Sequence, residues 1–393
     1  MKILAIHERT VSLASPMRNA SVAYDAMTAS ALAIVSDQRI NGEPVIGYAF
    51  DSIGRYGKGG LLRERFIPRV LAAPPDTLLD SDGIIDPDAV FTVLMRNEKD
   101  GGHGERPGAV GLIDAAAWDL RAKLLHLPLW RALANRVGRA ATADRFDDFP
   151  VYGSCGHFRP GRGAAELDGL ASEVDAARTA GFDLIKIKLG GASCEDDVAR
   201  TVAAQSAARG AQIAVDVNGK LDPAIESQWL HAMADLGVAW VEEPTSPLDY
   251  HRLAKIAAQT PVALATGENL FSLDDVRNLL RFGGLNPDRD RLQMDISLSY
   301  GIGEYLRMMA ECEAAGWNRR AMVPHAGHLF AAHAVIGLEL GMHESATDMS
   351  LPFAGLWDGT AIQNGRALAN DAPGAGFERK SALFNWISPL AAQ

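Results

Sequence analysis

The spacing of apolar positions changes along the chain. Over residues 1–50 they form short runs, KILAI, ALAIVSD and EPVIGYAF, separated by polar turns. Short runs rich in branched aliphatics predict β-strands. From about residue 60 to 136 the pattern becomes helical. The segment VGLIDAAAWDLRAKLLHLPLWRALANRVG is rich in Ala and Leu, with apolar residues every three to four positions. Residues 1–138 therefore predict a compact α+β unit. The stretch RAATADRFDDFP, 139–150, is polar, ends in proline and predicts a connector.

Strand-like runs then alternate with helical patterns. They begin at VYGSCG (151), LIKIKL (184), QIAVDVN (212), VAWVEEP (238), VALATGE (262), LQMDIS (292), AMVPHAG (321) and LELGMHES (338). Strands alternating with helices imply a parallel sheet, and eight of them predict a (β/α)8 barrel over 151–355. The last interval, 321 to 338, is short and predicts a trimmed seventh helix. The polar, Gly-rich tail 356–393 is expected to pack back on the N-terminal unit.

The composition narrows the function. The 393 residues leave room for a barrel plus a second unit, and 48% hydrophobic with 22% charged residues fits a soluble globular chain. The 38 basic and 49 acidic residues give −11, with no basic run. That argues against nucleic acid and against a membrane surface as partners. Cys155, Cys194 and Cys312 lie far apart without a CxxC, so neither a disulfide framework nor a structural zinc site is expected, and a cytoplasmic location fits. The first residues are too short in apolar run for a secretion signal, and no stretch approaches a membrane span.

In a β/α barrel the chemistry gathers at the C-terminal ends of the strands. Those ends carry Lys186 and Lys188, Asp216 with Asn218, Glu242, Glu268, Asp295, His325 and Glu344. Asp216, Glu242 and Glu268 are each one β/α repeat apart, so they converge from successive strands. Three converging carboxylates repel unless a cation joins them, and an all-oxygen set suits Mg²⁺. Alternation turns Glu243 away from that point. Lys186 and Lys188 share one face of their strand, and two adjacent ammoniums favour a lowered pKa and a general base. Asp295 and His325, on neighbouring strands, form a carboxylate–imidazole pair. An HxxH at 325–328 without HExxH does not support a zinc hydrolase. A base on one side of a metal and an acid on the other serves removal of a proton alpha to a carboxylate.

IKIK, DVN, WVEEP, TGE, MD and PHAGH, in this order, resemble the enolase superfamily, mandelate racemase subgroup, over nearly the whole chain. SPMRNA, GRYGKGGLLRERF, NEKDGGHGER, ATGENLFS, NPDRD and LSYGIGEY are most similar to its D-tartrate dehydratase family. The resemblance implies a (β/α)7β TIM-type barrel and an N-terminal α+β capping domain completed by the C-terminal segment. It implies a Mg²⁺-dependent hydro-lyase converting D-tartrate to oxaloacetate. Lys188 would take the C2 proton and His325, held by Asp295, would protonate the departing 3-hydroxyl. Lys186 would lower the pKa of Lys188 and touch the substrate carboxylate. Glu344 would donate to that carboxylate as a protonated acid. Asn218, Tyr56 and Lys99 are the further candidate contacts to a small hydroxy-acid, and a homo-oligomer is implied. The chain departs from the family pattern at Asp51 and Ile53, and CGHFRPGRG stands where that family has a tyrosine-rich stretch. An acid-sugar dehydratase, a racemase or epimerase, and a Schiff-base lysine aldolase are the alternatives.

Overall fold

A computed structural model describes residues 1–13, 15, 17–51, 55–99, 104–139, 148–158, 167–346 and 354–392. The N-terminal part is a three-stranded antiparallel sheet, β1 (Ile3–Ser12), β2 (Thr28–Ile40) and β3 (Glu43–Phe50). β2 is nearly continuously buried over Ala29–Ile34, because helix Arg106–Leu124 covers one side of the sheet and the tail covers the other. Helix and β3 approach closely at Gly47, where a Cβ would stand 2.2 Å from the Ala116 carbonyl oxygen. The helical pattern expected from about 60 to 136 divides into a helical stretch at 59–71 and helices Pro87–Leu94, Arg106–Leu124 and Leu129–Arg136.

The second part is a barrel-type sheet of parallel strands. β4 (Asp148–Cys155), β5 (Leu184–Lys188), β6 (Gln212–Asp216), β7 (Val241–Glu242), β8 (Leu264–Thr266) and β9 (Arg291–Leu292) pair in chain order. The seventh strand of the barrel is reduced to a single bridge between Leu292 and Met322. Pro324 follows two residues later and has no N–H to continue a ladder. β10 (His343–Ala346) pairs parallel with β4 on the other side of the first barrel strand. The seventh helix, Leu329–Leu338, has 10 residues and is buried on every side. The expected eighth run began at 338, but that residue ends this helix and the strand starts five residues later.

The connector expected at 139–150 falls mostly outside the described residues. Its last three positions, 148–150, belong to β4, because the hairpin β11 (Ile362–Gln363) and β12 (Arg366–Leu368) pairs antiparallel with them. The tail thus first extends the barrel sheet. Helix Ser381–Ile387 then packs on β2, and Phe384 meets Tyr48 edge-on.

Inside the barrel, inward-facing positions stack in layers. Tyr152, Leu184, Ala214, Trp240, Ala265 and Val323 form an apolar floor. Two residues further along β5, β6 and β7 come Lys186, Asp216 and Glu242, so the same alternation that closes the floor raises the polar layer above it. No described helix is long and apolar enough to cross a membrane.

Candidate active site

Asp216, Glu242 and Glu268 end β6, β7 and the loop after β8, and all three are buried. Each offers an oxygen, and the three oxygens lie within 4.8 Å of one another. The in-register pairing of Asp216 with Glu242 sets two of them side by side. Three buried carboxylates at this spacing are a donor set for a hard divalent cation. Gln293 Nε2 donates to Glu242 Oε2 at 2.7 Å and Asn218 N donates to Asp216 Oδ1 at 2.8 Å, so the second oxygens are already oriented.

The two lysines share this layer. Lys186 Nζ donates to Glu242 Oε1 at 2.6 Å and stands 3.0 Å from Glu344 Oε1. Lys188 Nζ donates to Asp216 Oδ2. Burial works against charge on both, but the surrounding carboxylates outweigh it. Glu242 chiefly holds Lys186, and Asp216 chiefly holds Lys188, as ammoniums above the ordinary lysine range. The expected low-pKa amine is therefore not the state here. Lys186 does push Lys188 downward, as the sequence predicts, yet Asp216 wins.

The carboxylates divide between two states. For Glu242, burial and the neighbouring Asp216 raise the pKa to about 7 against the pull of Lys186. Asp216 resists its burial, because Lys188 and Lys186 hold it below the usual value. Glu344 was expected to be protonated. Burial favours that, but Lys186 and His325 hold it well below the carboxylate range, so it is ionised. It accepts from Tyr152 Oη and Ala326 N, both at 3.2 Å.

His325 flanks the trio at its Glu268 end. Its Nδ1 pairs with Asp295 Oδ2 at 2.8 Å and its Nε2 lies 3.3 Å from Glu268 Oε2. Burial disfavours the imidazolium, but Glu268 and Asp295 raise its pKa to about 9. Asp295 is itself fixed by Ser297 N at 2.6 Å and Leu298 N at 2.9 Å. The structure therefore brings a lysine to the Asp216 end and a protonated imidazole to the Glu268 end.

A cavity of about 450 Å³ opens above this layer. Lys188, Asn218, Glu268, His325 and Glu344 line it from the barrel, and Tyr56 lines it from the N-terminal domain. Lys186, Asp216, Glu242 and Asp295 lie beneath or behind these. Lys99 is exposed and not on the cavity wall. Asp51 does not face the cavity either: it is buried and paired with Lys58 at 3.0 Å. Ile53 lies outside the described residues.

Among the wall residues that were not foreseen are Glu243, Arg55, Tyr24 and His157. Glu243 was expected to point away, but its φ of +44° breaks the alternation, so it faces the cavity and accepts from Asn269 Nδ2 at 2.7 Å. Burial and the nearby Glu268 raise its pKa well above the carboxylate range. Arg55 stands 3.4 Å from Glu268 Oε1 and also donates to Asn269. Tyr24 and His157 complete one wall. Gln293, beneath the cavity, follows directly on β9 and was not singled out in the sequence either. Arg55, Tyr24 and His157 carry no periodic signal.

Comparison with known proteins adds the following. The family model described as enolase C-terminal domain-like matches residues 169–382. The L-talarate/galactarate dehydratase of Salmonella typhimurium is 27% identical over 322 residues, covering 79% of this chain and 73% of its own. The 3,6-anhydro-alpha-L-galactonate cycloisomerase of Streptomyces coelicolor is 28% identical over 295 residues, covering 72% and 73%. A solved racemase from Streptomyces coelicolor with bound magnesium superposes with a TM-score of 0.73 at 22% identity, covering 96% of this chain and 98% of that one.

Proposed function

Because the chain belongs to the enolase C-terminal domain-like family, we propose that it is a Mg²⁺-dependent dehydratase of a hydroxy-diacid, with D-tartrate as the first candidate substrate and oxaloacetate and water as products. One observation carries the reading: the buried trio Asp216, Glu242 and Glu268 has Lys188 at one end and the Asp295-held His325 at the other. Magnesium held by the trio would supply positive charge where negative charge develops on the substrate carboxylate. The neighbour with bound magnesium supports this choice of ion.

The chain's own residues divide the remaining work. Lys188 takes the proton on the carbon next to the carboxylate as the neutral amine, a form that a cation on Asp216 would favour by drawing that carboxylate away from the ammonium. His325, as imidazolium, gives its proton to the hydroxyl that leaves from the opposite side, and Asp295 holds the ring for that transfer. Lys186 and the ionised Glu344 set the charge beneath the bound carboxylate. Arg55, reaching in from the N-terminal domain, suits the second carboxylate of a diacid. D-tartrate itself rests on the sequence stretches that resemble that dehydratase family.

The relatives favour one second reading. Both act on six-carbon acid sugars or their anhydro forms, by their names, and the cavity is within the range that holds a longer chain. An acid-sugar dehydratase would use the same residues. The Schiff-base aldolase has no such support, since both lysines are engaged by carboxylates.

The test is a panel of D-tartrate, galactarate, D-galactonate and related acids, incubated with Mg²⁺ and assayed for 2-keto acid by semicarbazide absorbance. Strong turnover of D-tartrate that EDTA abolishes supports the first reading. Turnover of a longer acid sugar alone moves the substrate and keeps the mechanism. No keto acid from any member contradicts a dehydratase.

A further inference from the structure

His157 follows β4 and lines the cavity beside Ser154 and Lys188. Its Nδ1 is buried and meets no hydrogen-bond partner among the described residues. The backbone on both sides of it is fastened. Gly156 takes a φ of +73°, and a Cβ there would stand 2.8 Å from Leu170 Cδ1. Its N–H donates to Glu173 Oε2 at 2.9 Å, and its carbonyl accepts from Arg200 Nη2 at 2.8 Å. On the other side, Phe158 exchanges both backbone bonds with Arg18, at 2.8 and 3.1 Å. Tyr24 packs edge-on against the imidazole with centroids 6.2 Å apart. A side chain held this firmly, with a buried nitrogen left over, is prepared for something that enters the cavity.

The charge of the ring says what that is. Burial, with the ammoniums of Lys188 and Lys186 behind it, pushes its pKa down to about 3, so the imidazole is neutral. A neutral imidazole offers one donor and one acceptor. A carboxylate accepts only and matches one tautomer, whereas a hydroxyl donates and accepts and matches either. Of the charges acting on His157, that of Lys188 is the strongest, which puts the ring with the proton-taking end of the cavity.

We propose that His157 contacts the substrate and recognises, through Nδ1, the hydroxyl of the hydroxy-acid whose oxygen stays in the product. This rests on the dehydratase reading above. It makes the turn that follows β4 a part of the specificity apparatus, on the side where the proton is taken.

The test uses full-length protein with Mg²⁺, assayed on D-tartrate, galactarate and D-galactonate. His157→Phe keeps the edge-on contact with Tyr24 and removes the hydrogen bond; His157→Gln restores a donor and an acceptor. For the acid turned over best, the Phe variant should lose about tenfold to a hundredfold in kcat/KM, mostly through KM. The Gln variant should recover much of that loss. Thermal unfolding of both variants checks that the fold is kept. A Phe variant within about twofold of the parent overturns the proposal. So does a Gln variant as poor as the Phe variant, which would mark a packing role. If the parent neither binds nor turns over any of the three acids, the functional reading fails and the role of His157 with it; if the parent is active and the Phe variant equals it, only the role of His157 fails.

Discussion

Glu242 has its two oxygens assigned to different partners. Gln293 Nε2 donates to Oε2 at 2.7 Å with Trp240 Nε1 at 3.4 Å, and Lys186 holds Oε1 at 2.6 Å. Replacing Gln293 by Leu removes the donor that orients a proposed metal ligand. Such outer partners typically contribute ten- to a hundredfold in metal affinity. The Gln293→Leu variant should therefore need about ten- to a hundredfold more Mg²⁺ for half-maximal turnover, read from a magnesium titration of activity; an unchanged titration would contradict the role. Lys186, Lys188, Asp216 and Glu242 all follow from the two-residue period of a strand, and so were readable from the sequence. Glu243 was not, because β7 ends at Glu242 and the next residue takes a left-handed conformation. Alternation holds only while the strand lasts.

At the scale of elements, the loop carrying Arg55 and Tyr56 is tied at its neck. Lys58 Nζ donates to Asp51 Oδ1 at 3.0 Å and to the Tyr56 carbonyl at 3.2 Å, while Ser30 N donates to Asp51 Oδ2 at 2.8 Å. Both Asp51 and Lys58 are buried. Removing one partner of a buried pair leaves an uncompensated charge, at about 3–5 kcal/mol. Lys58→Met should lose that much in urea unfolding and should raise KM as the loop loosens. The double variant Asp51→Asn, Lys58→Met should be less destabilised than Lys58→Met alone; equal loss would contradict the pair. The sequence marked Asp51 only as a departure in a loop, since ion pairing across a loop neck leaves no periodic trace. The barrel strands were plain from their spacing, but the seventh was not expected to shrink to one bridge. Pro324 explains that, and a proline inside a strand-like run is itself a sequence signal.

Across the whole molecule, three neutral histidines sit where the N-terminal domain and the tail meet the barrel. His328 Nε2 bonds the Phe50 carbonyl at 2.9 Å and its ring stacks on Phe50 at 4.0 Å. His333 Nδ1 accepts from Trp130 N at 3.1 Å, and His343 Nε2 meets the His328 carbonyl at 3.2 Å. Burial lowers each pKa to about 4. A depressed folded pKa means stability that is full above the unfolded value, near 6.5, and lost as pH falls through about 4. Unfolding free energy should therefore drop between pH 7 and pH 5 by about 1–2 kcal/mol for each histidine. Urea unfolding at the two pH values measures it, and a flat profile would contradict the burial of neutral rings. The tail was expected to reach the N-terminal unit, and helix Ser381–Ile387 does pack on β2. Its detour through β12 onto β4 left no mark in the sequence, because two- and three-residue strands are too short to show a period.

In the proposed reaction Lys188 takes a proton and His325 supplies one, from opposite ends of the carboxylate trio. The most direct measurement separates the two steps. Lys188→Ala and His325→Asn are incubated with Mg²⁺ in D2O with the acid the parent dehydrates best, and deuterium at the carbon next to the carboxylate is followed by NMR. His325→Asn should form no keto acid yet exchange that hydrogen, because Lys188 still works, whereas Lys188→Ala should do neither. Exchange catalysed by Lys188→Ala, or dehydration by His325→Asn near the parent rate, would contradict it.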